Sequence, residues 1–561
     1  MINRHQTYKV PFKYIKMKKN NLKILLIVPR YSFSTEVQYT YSFPLGIGYI
    51  LAALRKAKFD VSCLNINHCN GLTNKIVKAE LDKKNYDIVA TGSFGYSYLM
   101  VEDLFKAIRE HPSNPKIILG GAIITSAPEV ILNALKPDFG VIGEGEETIL
   151  KLLNCVEKKG DFKKIEGIIY KDYNQNIIIT SPRKPIKNLD NLPFPDLEEF
   201  GFEKKLNHQY SNSDPFTRIF DYPRAYPIIA SRGCVFDCTF CFHTQGHQYR
   251  ERSIENVIKE IKFVVEKYKI NFIHIYDDLF SLKKEKIYKF CKEIKKLSEE
   301  VGYDIKWFCQ LTVYSAEREL LKTMKDAGCV AISYGFESYN KEVLKSMRKP
   351  ITPQGIDAAI KLTMEAGLTI QGNFIFGDAV ETKETAQTTI NYWKKNCKGQ
   401  VFLSFIQPYP GSAINKHCLE KGLIKDQLTF IKNMPNEDIL NMTNMNDEEF
   451  SKLKKTIKKL MTRNTHAVKL IYIKRTGGKA YEIKTKCPFC HKKNIYKNHY
   501  LRSRYFYQTD FICKHCGMRG IFIGSLYNFI IKLNLILPLR EIFHKLVKKE
   551  TRFRLLGRKI A

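Results

Sequence analysis

Three cysteines in the run SRGCVFDCTFCFH, at Cys234, Cys238 and Cys241, are spaced for metal chemistry. Thiolates at C-x3-C-x2-C spacing can hold three irons of a cubane 4Fe-4S cluster and leave the fourth iron without a protein ligand. An open iron points to chemistry at the cluster, where a four-cysteine site would point to electron carriage. The competing arrangement is a structural zinc site, which needs a fourth ligand. His243 could supply it, although it lies only two residues after Cys241.

A second group sits near the C-terminus: CPFC at Cys487 and Cys490, then CKHC at Cys513 and Cys516, with residues 491–512 between the pairs. Two such knuckles suit tetrahedral zinc in a small ribbon, which would stabilise a segment too small to fold on a core alone. A further electron-transfer cluster is the alternative. The intervening NHYLRSRYFYQTDF mixes basic and aromatic side chains. That suits either a nucleic-acid surface with stacking platforms or the strands of the ribbon itself.

The elements around the first cysteine loop repeat a strand–helix pattern. IIASRGC puts the loop immediately after an apolar strand. SIENVIKEIKFVVEKY then carries Ile254, Val257, Ile258, Ile261, Val264 and Val265 near helical spacing, facing a sheet. FIHIYDDLF ends by presenting Asp277 and Asp278. IKWFCQL, VAISYGFES, LTIQGNFIFGD and VFLSFIQPYPGS follow, separated by helical stretches. Such a repeat predicts a partial or full (β/α) barrel with its chemistry at the carboxyl ends of the strands.

The cysteine loop and these strand ends resemble the radical S-adenosylmethionine (SAM) family over residues 220–440. The resemblance implies that the open iron takes the amino and carboxylate groups of SAM, and that Phe240 is the aromatic found between the last two cysteines. It places Asp277 and Asp278 where the second strand approaches the SAM amino group, and Glu337 where the fourth strand approaches the ribose. It places Gly372, Asn373 and Gly377 where a strand passes the adenosine. After that strand the family commonly has G-x-P-G-E-T; here GDAVETKET puts Ala379 and Val380 in place of the proline and glycine. The implied chemistry is one-electron reduction of SAM, fed by an external donor such as a flavodoxin or ferredoxin, and cleavage to methionine and a 5′-deoxyadenosyl radical that abstracts hydrogen from an unactivated carbon.

Ahead of this core, KILLIVP, DVSCLNI, YDIVATG, KIILGG and PDFGVIG alternate with helical stretches, which predicts a doubly wound, Rossmann-like parallel sheet. Ligands of such sheets sit beyond the carboxyl ends of the strands. Gly120, Gly121, Gly143, Glu144 and Gly145 fall there. With PLGIGYILAAL and GGAIITSAPE, these residues resemble the cobalamin-binding domain that precedes many radical SAM cores, over residues 22–160. His68-Cys69-Asn70-Gly71 matches only the tail of the D-x-H-x-x-G signature of histidine-ligated cobalamin proteins. Ile66 stands at the aspartate position, and His68 follows the second strand. His68 is therefore read as a loop histidine, and the chain resembles the branch without a lower-axial histidine. The combined resemblance implies methyl transfer through methylcobalamin to a small metabolite, lipid or sugar intermediate. Cyclisation or oxidation without methyl transfer, and modification of RNA or protein, are the alternatives.

The chain has 561 residues, too many for one core. The expected layout is the cobalamin-binding-like domain at 22–160, a proline-containing linker at 161–219, the radical SAM core at 220–440, a helical connector at 441–480, the ribbon at 481–520 and an apolar, basic tail at 521–561. Fifteen cysteines, eight of them scattered singly, fit a reducing, cytoplasmic setting. The first twenty residues are basic and lack the apolar core of a signal peptide. A net charge of +34 permits an anionic partner, nucleic acid or membrane, without identifying one. The tail suits either a peripheral contact with an anionic bilayer or a cap on the protein's own core.

Overall fold

Five apolar runs bounded by glycine, proline or helix caps become the strands β1 (Lys23–Val28), β2 (Asp60–Asn65), β3 (Ile88–Gly92), β4 (Lys116–Gly120) and β5 (Phe139–Val141). They pair in parallel in the order β2-β1-β3-β4-β5, with Leu26 opposite both Cys63 and Ala90. The computed structural model describes residues 21–214, 216–435, 438–463, 466–501 and 508–523. The period of two decides which helix each strand residue meets. Ile24, Leu26, Val28 and Ala90 pack towards the helices Leu45–Lys56 and Glu146–Lys158. Leu25, Ile27 and Val89 pack towards Tyr98–Arg109 and Pro128–Leu135 on the opposite face.

The sheet does not stop near residue 160. β6 (Ile168–Lys171) and β7 (Ile177–Ile179) add two antiparallel strands at its β5 edge. These residues belong to the stretch expected as linker. Their apolar runs, Ile168–Lys171 and Ile177–Ile179, are only four and three residues long, too short to stand out as strands, and pairing at the sheet edge completes them. The remainder of that stretch is also packed. Leu197, Phe200 and Phe202 lie in the same core as Phe43 of the first domain and Tyr226 of the second.

The second sheet is all parallel, in the order β15-β14-β13-β12-β11-β8. Its strands are β8 (Ala225–Ile228), β11 (Phe272–Ile275), β12 (Lys306–Gln310), β13 (Cys329–Glu337), β14 (Thr369–Phe376) and β15 (Phe402–Phe405). Six strands make a partial barrel, with helices such as Ile254–Tyr268 against one face. That helix starts where the Ser253 hydroxyl accepts from Asn256 N at 3.2 Å. It buries Ile254, Val257, Ile261, Val264 and Val265. The short pair β9 (Ser231–Arg232) and β10 (Arg250–Glu251) lies between β8 and this helix.

After the helix Asp447–Arg463, the stretch expected as a helical connector turns into strand. β16 (Lys469–Gly477), β17 (Ala480–Lys486) and β18 (Lys493–Tyr500) form an antiparallel sheet, and β19 (Gln508–Ile512) pairs with β20 (Arg519–Ile523). This module docks at the amino ends of the barrel strands. Thr369, the first residue of β14, donates to Gly517 O at 2.6 Å, and Arg519 N donates to the Gln400 side chain at 2.7 Å. Among the described residues no helix is long and apolar enough to cross a membrane. The tail beyond residue 523 lies outside the described residues.

Candidate active site

β9 and β10 pair antiparallel, Arg232 with Arg250, and so clasp the base of the loop that carries the three cysteines. Gly233 has φ +79°, and a Cβ there would lie 2.5 Å from Gln248 O, so the crossing of the loop's two arms requires glycine. Cys238 is buried, Cys234 half-buried and Cys241 exposed. Burial pushes the Cys238 thiol up to about 11, so a bound metal has to displace its proton. Among the described residues, the three sulfurs are not gathered within 4.8 Å of one another as a single tetrahedral ion would need. The donor set fits a multi-iron cluster, where each thiolate takes its own iron. His243 groups with Asp237 and His247 instead. Phe240 packs among Ile406, Met434 and Met442 behind the loop.

Three strand ends face this loop. Asp277 is 5% exposed, and its Oδ1 accepts from Ala230 N at 2.8 Å, which holds the chain as it enters the clasp; Asp278 beside it is exposed. Asp277 thus positions the loop, a role the sequence expectation of a direct SAM contact did not include. At the end of β13, Glu337 takes φ 59°, rare for a non-glycine residue, and accepts from Lys349 Nζ at 3.0 Å. Both side chains are largely buried. Gly335 leaves the space they occupy, since a Cβ there would collide with both. On β14, Gly372 admits the Phe336 ring, and Asn373 is half-buried. Gly377, at φ +114°, donates to Glu381 Oε2 at 2.6 Å. Lys349 had no sequence signature, because it belongs to no motif and its pairing with Glu337 is tertiary; Gly335 lay inside the VAISYGFES run, which by itself assigns it no role.

A cavity of 540 Å³ lies between the two sheets. One wall is the row of strand ends of the first sheet: Gly92, Gly120, Gly121, Gly143, Glu144 and Gly145. The other wall includes Thr244 and Gln245 of the cysteine loop, Arg232 of the clasp and Tyr276. Gly121 has φ +84° and a Cβ there would meet Ser93 O at 2.8 Å, so this turn requires glycine. Gly143 has φ +75° with nothing within 4 Å of a built Cβ, so its open backbone is presented to the cavity. A large apolar cradle floored by bare backbone fits a corrin. No histidine is among the lining residues. His68 lies elsewhere, with Nε2 2.9 Å from the Tyr41 hydroxyl; burial, with help from Lys204 and Lys205, pushes it down to about 4.

The carboxylate of Glu144 does not serve the cavity. It accepts from Arg250 at 2.8 Å and from Ile186 N at 2.7 Å, while Glu146 accepts from Arg232 at 2.5 Å. Burial alone would raise Glu146, but Arg232 outweighs it and holds the carboxyl below the usual range. These buried pairs tie the GEGE turn of the first sheet to both strands of the clasp. Glu144 thus lines the cavity at the strand end where the sequence put it, while its carboxylate is engaged at the domain junction.

The other four cysteines converge. Cys487, Cys490, Cys513 and Cys516 place all their sulfurs within 4.8 Å of one another, with Cys487–Cys516 at 3.7 Å and Cys490–Cys513 at 3.6 Å. A tetrahedral zinc with ~2.3 Å bonds to sulfur sets its ligands about 3.8 Å apart. The set suits one zinc ion.

The family models agree with this division. Residues 35–153 match the B12 binding domain and residues 228–392 match the radical SAM superfamily. The chain is 29% identical over 443 residues to an uncharacterized methyltransferase, PH0819, of Pyrococcus horikoshii, covering 77% of this chain and 90% of that protein. It is 24% identical to the cytidylyl-2-hydroxyethylphosphonate methyltransferase of Streptomyces wedmorensis, covering 76% and 87%. Its fold is similar to that of the radical SAM methyltransferase TsrM from Kitasatospora setae, solved with cobalamin and a [4Fe-4S] cluster, at a TM-score of 0.58 and 15% identity over 71% of this chain and 75% of that one. A B12-binding sheet and a three-cysteine barrel loop facing one cavity, with these matches, place the chain in the family of radical SAM enzymes that carry a cobalamin-binding domain.

Proposed function

We propose that this enzyme transfers a methyl group to an unactivated carbon of a small organic molecule. The observation that carries the reading is the single cavity walled by the glycine strand ends on one side and by the cysteine loop on the other. When bound, the cluster with SAM supplies a hydrogen-abstracting carbon radical, and the corrin supplies a methyl carrier. Cys234, Cys238 and Cys241 hold the cluster, with Asp277 fixing the strand that enters their loop. Glu337, kept in its strained conformation by Lys349, would offer acceptors to the ribose hydroxyls of SAM, and Asp278 would serve its amino group. The β14 segment with Gly372, Asn373 and Gly377 would pass the adenosine, Gly372 by admitting the Phe336 ring that packs against it. Gly120, Gly121, Gly143 and Gly145 let the corrin lie against the first sheet. The buried Arg232–Glu146 and Arg250–Glu144 pairs hold the two walls at fixed separation, which is the chain's own contribution to a radical transfer that must exclude water. One zinc at Cys487, Cys490, Cys513 and Cys516 fastens the base of the barrel. Electrons come from an external one-electron donor protein.

Product mass tests the reading. Anaerobic turnover with SAM and a strong reductant is expected to yield 5′-deoxyadenosine and a product heavier by one methylene unit. A product that has only lost hydrogens would replace methyl transfer by cyclisation or oxidation.

A further inference from the structure

Beside the cofactor cavity lies a second one of 240 Å³, room for about eight waters at ~30 Å³ each. Ser42, Phe43 and Tyr276 line both, so the two spaces share a wall. The smaller cavity is polar and is built from four parts of the chain: the loop after β1, the connector with Lys205, Gln209 and Asp214, Ala225 and Pro227 on β8, and His274 on β11.

Lys205 is the group that the fold alone does not explain. It is 8% exposed and lies on the short helix Phe202–Asn207. Among the described residues no carboxylate forms an ion pair with it. Its Nζ stands 5.6 Å from the centre of the Tyr41 ring, and the Gln209 amide oxygen, turned towards it, accepts at 3.0 Å. The nearby Asp214 is already engaged: Oδ1 accepts from Phe216 N at 2.8 Å, and Oδ2 lies 3.6 Å from His274 Nδ1. His274 is in turn stacked on Tyr276 at 3.8 Å. A buried ammonium beside a carboxylate committed elsewhere is costly, and an entering anion would relieve that cost. Burial pushes Lys205 down to about 8, with Asp214 opposing.

We infer that this side cavity is the docking site for an oxyanion, a carboxylate or phosphoryl group, on the acceptor molecule, with Lys205 as the receiving charge. The acceptor's remaining atoms then extend past Tyr276 and Ser42 into the larger cavity, where its carbon meets the methyl carrier. The inference rests on the methyl-transfer reading for the identity of that larger space.

Calorimetric titration of the full, anaerobically reconstituted, corrin-loaded chain with inorganic phosphate and, separately, with acetate tests it. One saturable site per chain is expected for at least one anion, weakened at least tenfold in K205M and in K205Q and kept within about threefold in K205R. Corrin content per chain serves as the folding control in every variant. Preference for phosphate marks a phosphoryl-bearing acceptor, and preference for acetate a carboxylic acid. Absence of binding to the wild-type chain, or equal binding to K205M, overturns the inference. A wild-type chain that takes up no corrin overturns the methyl-transfer reading instead.

Discussion

Glu381 is 1% exposed, and burial pushes it up to about 8 from an ordinary value of 4.5, against the bond it accepts from Gly377 N. Because its folded value is raised, the protonated form favours the fold. That contribution is fully present below about pH 4.5 and is lost as pH rises through about 8, at up to ~1.4 kcal/mol per pH unit inside the window. E381Q is expected to flatten the urea stability profile of the apoprotein between pH 5 and 8 relative to wild type. Gly143 offers a complementary test, since a side chain there has open space but an unfavourable φ of +75°. G143A should cost about 1–2 kcal/mol in urea unfolding yet lower corrin content markedly. Unchanged corrin content would make that glycine a simple turn. The two residues also differ in how far the sequence reveals them. Gly143 stood out because GEGE follows an apolar strand. Glu381 was visible only as part of a degraded turn motif, and its titration depends on burial that no local pattern encodes.

At the scale of elements, strand–helix alternation was enough to place both parallel sheets, because buried strands are long apolar runs and their helices have a clear 3.6 period. The misses share one cause. β16 is a surface strand of mixed polarity, while β6 and β7 are apolar runs of only four and three residues, so pairing rather than composition makes all three strands. The metal ribbon shows the converse, since Cys487, Cys490, Cys513 and Cys516 were legible by spacing, while its seat on the barrel was not. Ser211 meets His499 Nδ1 at 3.0 Å, and Lys514 pairs with Asp221 at 2.9 Å, through contacts almost 300 positions apart. Such docking makes the ribbon part of the enzyme's base. C513S and C490S are therefore expected to lose the single zinc, measured by elemental analysis, and to lower the unfolding temperature of the whole chain by several degrees. A zinc-free variant that unfolds as wild type does would make the module an independent appendage.

For the whole molecule, the decisive feature is how two separately recognisable domains are held face to face. The sequence offered both motifs but not the junction, because Arg232, Arg250, Glu144 and Glu146 read as ordinary turn and strand charges until the chain is folded. Their burial fixes the distance between the cysteine loop and the glycine strand ends, and with it the shared cavity. The most direct test is the cofactor inventory of one anaerobically purified chain supplied with cobalamin, read as iron, corrin and 5′-deoxyadenosine formed on adding SAM and reductant. A 4Fe-4S cluster, one corrin per chain and SAM cleavage are expected together, with C234A losing the cluster and cleavage but retaining the corrin. A chain that assembles the cluster and cleaves SAM while binding no corrin would contradict that expectation.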